Sequence, residues 1–240
     1  MLSGQKAHII IEYDYKLINM DLRSFVISND TDSYFMFVKR EKNLTYEDLE
    51  TTDFKEINSY HIFNYNHETS EMYQLPTLLP KPKELQQQLL VDVLEAPKWR
   101  FAKESQKILG YNCTLATTTF RGRNYKAWFT TEIPMAVFPW KLKGLPGAIL
   151  AFEDDKGYFS GIATRVKMNT DMTMPKRIAE FFSLHKKSAL PYRTYIEMEN
   201  RRLTLGREER NANYPVGTQV RAVHPREMSY EKEFEWETGK

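Results

Sequence analysis

A single cysteine, Cys113, is the one thiol in this 240-residue chain that could act as a nucleophile. A nucleophilic cysteine needs a histidine, and usually an orienting Asn or Asp, close to it in space. Cys113 lies in the middle of a strand-like run, and no histidine stands beside it in a known catalytic signature. Packing is therefore its favoured role. A lone cysteine also excludes an intramolecular disulfide framework.

The histidines and acids form no recognisable metal or catalytic site. No histidine pair has the i, i+4 spacing of a zinc-binding helix, and His61 and His67 stand only in a loose group with nearby glutamates. Glu153, Asp154 and Asp155 are candidates for paired-carboxylate glycoside hydrolysis, but adjacent acids entering a turn are usually a solvated tip. We therefore predict no catalytic residue, no metal and no cofactor.

Residues 144–149 read Gly-Leu-Pro-Gly-Ala-Ile and raise the question of a phosphate-binding loop. Such a loop ends in Lys followed by Ser or Thr, which this segment lacks. Pro146 presets its own φ, and the two glycines permit conformations that are closed to other residues. The segment is therefore predicted to be a turn that leads into a strand over residues 148–152.

Charge and aromatic side chains are unevenly distributed along the chain. The formal net charge is +2, but residues 1–80 carry −6 and residues 81–240 carry +8. So small a total excludes a dedicated polybasic binder, and no nucleic-acid motif accompanies the basic part, so no nucleic-acid partner is predicted. The candidate binding residues are Trp99, Trp128, Trp140, Arg121 and Arg123.

The elements that would position these side chains are mostly strands. Apolar and polar residues alternate over 7–17, and β-branched and aromatic residues flank a glycine-containing turn at 121–124, which predicts a hairpin. Further strands are predicted over 89–94, 148–153 and 158–167. A helix of about three turns is predicted from Pro175, and the chain beyond Arg201 is expected to be an extended tail packed on the body.

These elements predict a mainly β (α+β) fold, with a curved antiparallel sheet or half-open barrel and one or two helices. We expect a β-rich domain over 1–170, followed by a C-terminal helix and basic extension over 171–240. No apolar run approaches the roughly 20 residues of a membrane-spanning helix, so no transmembrane segment is predicted. The first residues lack a secretory leader, which leaves open a cytoplasmic protein or the mature part of an exported one.

Four blocks of sequence resemble the GLPGLI family of Bacteroidota envelope proteins: residues 99–101, 107–116, 120–134 and 139–150. Ala148 departs from the leucine that is usual in the motif for which that family is named. The resemblance implies a mature chain in the periplasm or at the outer membrane, with the leader removed. It also implies a sheet similar to the LolA and LolB lipoprotein carriers. The matched motif residues, which we expect to be structural, are Gly110, Tyr111, Cys113, Gly144, Leu145, Pro146 and Gly147.

The function predicted on these grounds is that of a non-catalytic envelope protein. It would hold a lipid, a peptide or a partner segment on a concave sheet rich in aromatic residues. The predicted partners are therefore an apolar ligand or another envelope protein. Two alternatives stay open: an envelope hydrolase without a recognisable motif, and an accessory subunit for assembly or secretion. The aromatic residues, 13% of the chain, would equally fill an ordinary β core.

Overall fold

The fold is mainly β, as predicted. A computed structural model describes residues 7–39, 45–51, 61–76, 88–170, 172–173, 175–213 and 226–237. The strands in these residues are β1 Ile9–Leu17, β2 Met20–Ser28, β3 Asp32–Lys39, β4 His61–Asn66, β5 Glu71–Gln74, β6 Leu90–Val93, β7 Arg100–Ile108, β8 Tyr111–Phe120, β9 Arg123–Thr130, β10 Ala148–Asp154, β11 Phe159–Met168 and β12 Leu190–Pro191. The helices are α1 Tyr46–Thr51, α2 Lys176–His185 and α3 Tyr192–Ala212.

The twelve strands of the described residues form one open sheet. Its order is β12-β6-β5-β4-β3-β2-β1-β11-β10-β9-β8-β7, so β12 and β7 are the two edges. Neighbouring strands pair antiparallel, except that the short β12 runs parallel to β6. The hairpin predicted around the turn at 121–124 is present as β8 and β9, and the strands predicted at 148–153 and 158–167 are β10 and β11. The prediction of an antiparallel sheet that does not close is confirmed.

Both faces of the sheet are covered along β1 to β4. What we call the inner face carries the larger core, including Ile11, Tyr13 and Phe35, and it continues across β8 to β10. What we call the outer face carries a second core, in which Ile10 packs with residues of α1 and α2. Strand β1 is therefore apolar on both sides at its start, since Ile10 and Ile11 point to opposite faces.

The helices confirm one prediction and correct two. Helix α2 occupies the predicted position after Pro175 and buries Ile178 and Phe182. The chain beyond Arg201, expected to be extended, continues α3 as far as Ala212. Only the first turns of α3 have buried apolar residues, so its later part has no apolar stripe from which a helix could be read.

Residues 42–58 are rich in acids with Thr and Asn between them, which predicts a solvated loop or weak strand, but helix α1 lies within this stretch. The structure therefore has three helices in its described residues, where one or two were predicted. Residues 214–225, within the predicted basic extension, lie outside the described residues, and the division at residue 170 stays a prediction. No helix in the described part of the chain is long and apolar enough to cross a membrane.

Candidate functional site

The glycine-proline turn before β10 holds Trp99 in place. Gly144 has φ +99°, and a Cβ on it would lie 3.0 Å from the Cβ of Ala96 and 3.6 Å from Cδ1 of Trp99. The Trp99 indole N–H donates a hydrogen bond of 2.8 Å to the carbonyl oxygen of Lys143. The ring is thus fixed both by contact with the turn and by a bond to its backbone.

The same turn is packed tightly onto the end of β9. Gly147 has φ +151°, and a Cβ on it would lie 2.0 Å from the carbonyl oxygen of Thr130. No side chain fits at that separation, so the second glycine is needed for close backbone approach. The predicted turn leading into a strand is confirmed, because β10 begins at Ala148.

Trp99 lines a groove at the ends of β8, β9 and β10, which we call the Trp99 groove. Its volume is about 970 Å³. The lining residues are Lys98, Trp99, Arg100, Thr117, Thr118, Thr119, Asn124, Tyr125, Lys126, Glu153, Asp154, Asp155, Lys156 and Gly157. Apart from the two aromatic rings, almost every lining side chain can donate or accept a hydrogen bond.

Hydrogen bonds order the polar side of this groove. The Thr119 hydroxyl donates to Oδ1 of Asn124 over 2.7 Å. The Asn124 amide in turn donates to Oδ2 of Asp155 over 3.0 Å. The Thr118 hydroxyl donates to the Lys98 carbonyl oxygen over 2.9 Å, which fixes the backbone just before Trp99. Strands β8 and β9 and the turn after β10 therefore present a connected set of hydroxyl, amide and carboxylate groups.

The three consecutive acids all have structural partners. Asp154 is buried; its Oδ2 pairs with Arg123 over 3.1 Å, and its Oδ1 accepts from the Phe159 amide over 2.8 Å. Glu153 and Asp155 are exposed, as expected for a solvated tip, and Glu153 lies 3.6 Å from the ammonium of Lys126. Such acids can serve as hydrogen-bond acceptors for a ligand in the groove.

A second feature, a buried cluster of charges, lies under the β8–β9 turn. Arg121 pairs with Asp92 over 2.6 Å and also with Glu231, while Lys141 lies 2.8 Å from Asp92 and 2.9 Å from Glu231. Burial opposes ionisation of Asp92, but the ammonium of Lys141 and the guanidinium of Arg121 lower its pKa from 3.8 to about 2. The same two cations lower the pKa of Glu231 despite its burial. Two anions and two cations therefore balance inside the protein.

This cluster attaches residues 226–237, which we call the C-terminal segment, to the inner face. Glu231 belongs to that segment, and Arg123 donates to its backbone carbonyls at Ser229, over 2.7 Å, and at Glu227. Tyr230 stacks on Phe159 with ring centroids 4.2 Å apart, and on Trp140 at 5.2 Å. The aromatic inner face is thus occupied by a segment of the chain itself.

The family comparison can now be set beside this geometry. A family model described as "N-glycanase peptide, N-terminal domain" matches residues 22–193. The chain belongs to this family. The matched range contains the entire Trp99 groove, whereas the C-terminal segment lies beyond it.

Two solved structures are similar to this chain. "Structure of PNGF-II in P21 space group" is 19% identical and covers 70% of this chain and 29% of that chain, with a TM-score of 0.48. "Structure of PNGF-II in C2 space group" is 20% identical and covers 68% and 28%, with a TM-score of 0.48. The chain thus spans less than a third of the solved chains.

A search of curated proteins finds no match. None of this bears on the resemblance to the GLPGLI family, which stays a prediction.

The five predicted binding residues lie in different places. Trp99 lines the groove, and Trp128 is half-buried beside a separate hollow of about 310 Å³. Trp140 is buried in the inner core. Arg121 and Arg123 are buried, and both contact the C-terminal segment. Of these five residues, Trp99 alone lines the Trp99 groove, and the binding role of all five stays a prediction.

The remaining motif residues of the domain have structural surroundings. Gly110, at φ +87°, forms the turn between β7 and β8 together with Leu109, and Tyr111 begins β8. Cys113 is buried, and burial raises the pKa of its thiol to about 11, so it is a thiol rather than a thiolate at neutral pH. Among the described residues, no group of three His, Cys, Asp or Glu side chains could hold a metal ion.

Sequence reasoning missed the polar side of the groove. Thr117, Thr119, Asn124 and Lys126 carry no motif, and each is an ordinary polar residue on a strand. The available signal was their period of two, which places them on one face of β8 and β9. That spacing alone does not distinguish a ligand site from solvated surface.

Proposed function

We propose that this chain is a non-catalytic binding domain whose Trp99 groove holds the glycan of a glycosylated peptide. Two observations support the proposal: the match to an N-glycanase N-terminal domain, and the chemistry of the groove. The chain spans less than a third of the PNGF-II chains. The proposal therefore gives this chain the holding of a substrate and leaves its cleavage to other parts of a longer enzyme.

The groove chemistry suits a sugar ring. A pyranose has C–H groups that pack on an aromatic face and hydroxyls that exchange hydrogen bonds around its edge. Trp99 supplies a fixed ring, and the connected Thr119, Asn124 and Asp155 supply a hydroxyl, an amide and a carboxylate. A few placed polar groups beside an apolar wall are typical of sites that orient a small ligand. The fixed ring of Trp99 is the observation on which the proposal depends.

The groove is large enough for more than one sugar. Ligand sites commonly have volumes of roughly 300–1,000 Å³, and the groove, at about 970 Å³, stands at the upper end of that range. Lys98, Arg100 and Lys156 also line it and have no ion-pair partner among the described residues. These cations would favour an acidic substituent on the glycan or acidic residues in the attached peptide.

We further propose a location in the periplasm or at the outer membrane, supported by the resemblance to exported envelope proteins. Fractionation of cells that produce the chain with its natural leader tests the location directly. Recovery with periplasmic or outer-membrane markers supports it, and recovery with cytosolic markers would overturn it.

Calorimetric titration with an N-linked glycopeptide, and with the same peptide lacking its glycan, tests the binding role. We expect saturable binding of the glycopeptide alone. Trp99→Ala should weaken it by roughly ten-fold or more, since truncating a central tryptophan costs more than about 1.4 kcal/mol. Trp128→Ala, a half-buried tryptophan outside the groove, is the control.

Asn124→Ala gives a second variant, because Asn124 is exposed and its loss should leave the fold intact. It should also weaken binding, since it connects two other groove side chains. Equal heats for the two peptides would contradict the proposal. Release of free glycan during the titration would contradict its non-catalytic part and support the hydrolase alternative.

A further inference from the structure

The carbonyl group that holds Trp99 belongs to a lysine whose side chain has a fixed contact of its own. Lys143 accepts the Trp99 indole N–H at its backbone oxygen over 2.8 Å, and its ammonium donates to the Tyr65 hydroxyl over 3.0 Å. That ammonium also lies 5.0 Å from the centroid of the Tyr65 ring. No acid in the described part of the chain forms an ion pair with Lys143, so Tyr65 is the residue that positions its side chain.

Tyr65 is a buried residue near the end of β4, and it also contacts a histidine. The ring of His67, in the turn that follows β4, meets the Tyr65 ring edge to face with centroids 5.2 Å apart. Phe138 packs against the same ring, also edge to face, at 5.2 Å. Tyr65 is therefore fixed among its neighbours, and it touches both His67 and Lys143.

His67 is half-buried, and its neighbours are polar or charged. Its Nε2 and the Ser33 hydroxyl form a hydrogen bond of 2.8 Å. The charged groups that face it are two acids of the β2–β3 hairpin and one lysine: Asp30, Asp32 and Lys143. Both acids have other partners, since Lys186 lies 3.5 Å from Asp32 and Nδ1 of His8 lies 3.2 Å from Asp30.

The surroundings of His67 favour its neutral form. Burial lowers the pKa of His67 from its ordinary value of 6.5, and the ammonium of Lys143 lowers it further, although the two acids oppose both effects. The unfolded chain therefore binds a proton more readily, so the free energy of unfolding falls as the pH drops below 6.5. A proton taken up by the folded protein adds a second cation near Lys143.

The backbone next to Lys143 allows a displacement to reach Trp99. The carbonyl that accepts the Trp99 indole N–H belongs to the peptide unit that joins Lys143 to Gly144. Gly144 has φ +99°, and a glycine permits conformations that other residues cannot adopt. This peptide unit can therefore turn when the lysine side chain moves.

From these contacts we propose that His67 is a positioning residue of the Trp99 groove and that its protonation weakens glycan binding, an inference that rests on the function proposed above. Repulsion between the imidazolium and the ammonium moves Lys143 away from Tyr65. The Lys143 carbonyl then turns away from the Trp99 indole, and the ring is no longer fixed. The groove is thus ordered near neutral pH and loosened in mildly acidic medium.

The indole N–H signal of Trp99 in ¹⁵N-labelled, ligand-free protein tests the connection without any glycan. Between pH 8 and pH 5 this signal should move with the same midpoint as the ring signals of His67. His67→Gln should remove the movement. His8→Gln, which changes an exposed histidine beside Asp30, is the matched control and should keep it.

Tyr65→Phe separates this connection from a general loss of structure. The variant keeps the buried ring but lacks the hydroxyl that binds Lys143. His67 should still titrate in it, while the Trp99 signal should stay constant. In the unmodified protein, a constant Trp99 signal or a His67 ring that takes up no proton above pH 5 would overturn the proposal, and so would an unaltered Trp99 response in His67→Gln.

Glycan binding is then compared at pH 7.5 and pH 5.5, with an N-linked glycopeptide that has a neutral glycan and no ionisable side chain. We expect affinity at least about five-fold weaker at pH 5.5, the lower end of typical coupling between sites. In His67→Gln the two affinities should agree within about two-fold. Equal binding to the unmodified protein at both pH values would overturn this inference alone, whereas no binding at either pH would overturn the proposed function as well.

Discussion

At the residue scale, the two glycines of the segment 144–149 have different structural roles. Gly144 makes room for Ala96 and Trp99, whereas Gly147 lets the turn approach the backbone of Thr130. The first glycine shapes the groove, and the second attaches the turn to the sheet. Both roles are steric, which is why the sequence motif could be recognised as a turn without revealing the groove beside it.

The second role can be tested with Gly147→Ala. The added Cβ would meet a backbone oxygen that cannot move freely, so the free energy of unfolding should fall by more than the roughly 3 kcal/mol that bounds most substitutions. Gly110→Ala is the control: it also has positive φ, but no atom lies within 4 Å of its added Cβ. It should cost only about 1 to 2 kcal/mol. Urea unfolding measures both, and equal losses would be evidence against the close approach.

The buried charge cluster predicts a specific acid sensitivity. The folded pKa of Asp92 is about 2 against an ordinary value of 3.8, so its ionisation stabilises the fold above about pH 4. That contribution is lost as the pH falls from about 4 to about 2, and Glu231, whose pKa is also lowered, adds to the loss.

Glu231→Gln should therefore cost about 3 kcal/mol near neutral pH, because Arg121 and Lys141 lose one of their two shared anions. It should also flatten the fall in unfolding free energy between pH 4 and pH 2, because one fewer group takes up a proton. Glu233→Gln, exposed in the same segment, is the control. An unchanged acid profile in Glu231→Gln would show that the cluster does not stabilise the fold.

The sequence analysis identified some of the residues in these sites as candidates, but it did not predict which residues they contact. Trp99 was a candidate for binding and lies in the groove. Arg121 and Arg123 were candidates on the same grounds, yet they contact residues of the C-terminal segment more than 100 positions away. Charge and residue type are local properties, whereas the choice between a ligand and an internal partner depends on distant packing.

At the scale of elements, the strands were predictable and the polar helix was not. Strands β8 and β9 are rich in β-branched and aromatic residues around the turn at Gly122, and β10 and β11 flank a tight turn at Gly157, which are local signals. The first turns of helix α3 pack through Tyr192, Tyr195 and Ile196 against Leu90 and Phe234. The rest of the helix consists mainly of polar residues. Its i, i+4 pair of Arg193 and Glu197 supports a helix only weakly.

The docking of the C-terminal segment can be tested with Tyr230→Ala. The substitution removes the ring between Phe159 and Trp140 and the hydroxyl contact with Tyr15. We expect a loss of about 2 kcal/mol, or roughly thirty-fold faster opening. The Lys232 amide, which donates to the Arg121 carbonyl over 2.9 Å, is the reporter in hydrogen exchange. Met228→Ala should leave its exchange unchanged, and equal protection in both variants would contradict this docking.

At the scale of the whole molecule, the open sheet carries the Trp99 groove and also binds the C-terminal segment on its inner face. The groove, at the ends of β8 to β10, is polar and partly cationic, and the inner face on which the segment lies is aromatic. A lipid, a peptide or a partner segment was predicted to bind the aromatic face, and in the structure the C-terminal segment of the chain itself packs there. The groove lies inside the range matched by the family model, whereas the C-terminal segment lies beyond it.

The central claim is that the Trp99 groove holds a glycan, and the indole N–H signals test it most directly. The chain has four tryptophans, and only Trp99 lines this groove. Titration of ¹⁵N-labelled protein with an N-linked glycopeptide should shift the Trp99 signal saturably and leave those of Trp128, Trp140 and Trp236 in place. A Trp99 signal that does not move while the glycopeptide binds would contradict the account.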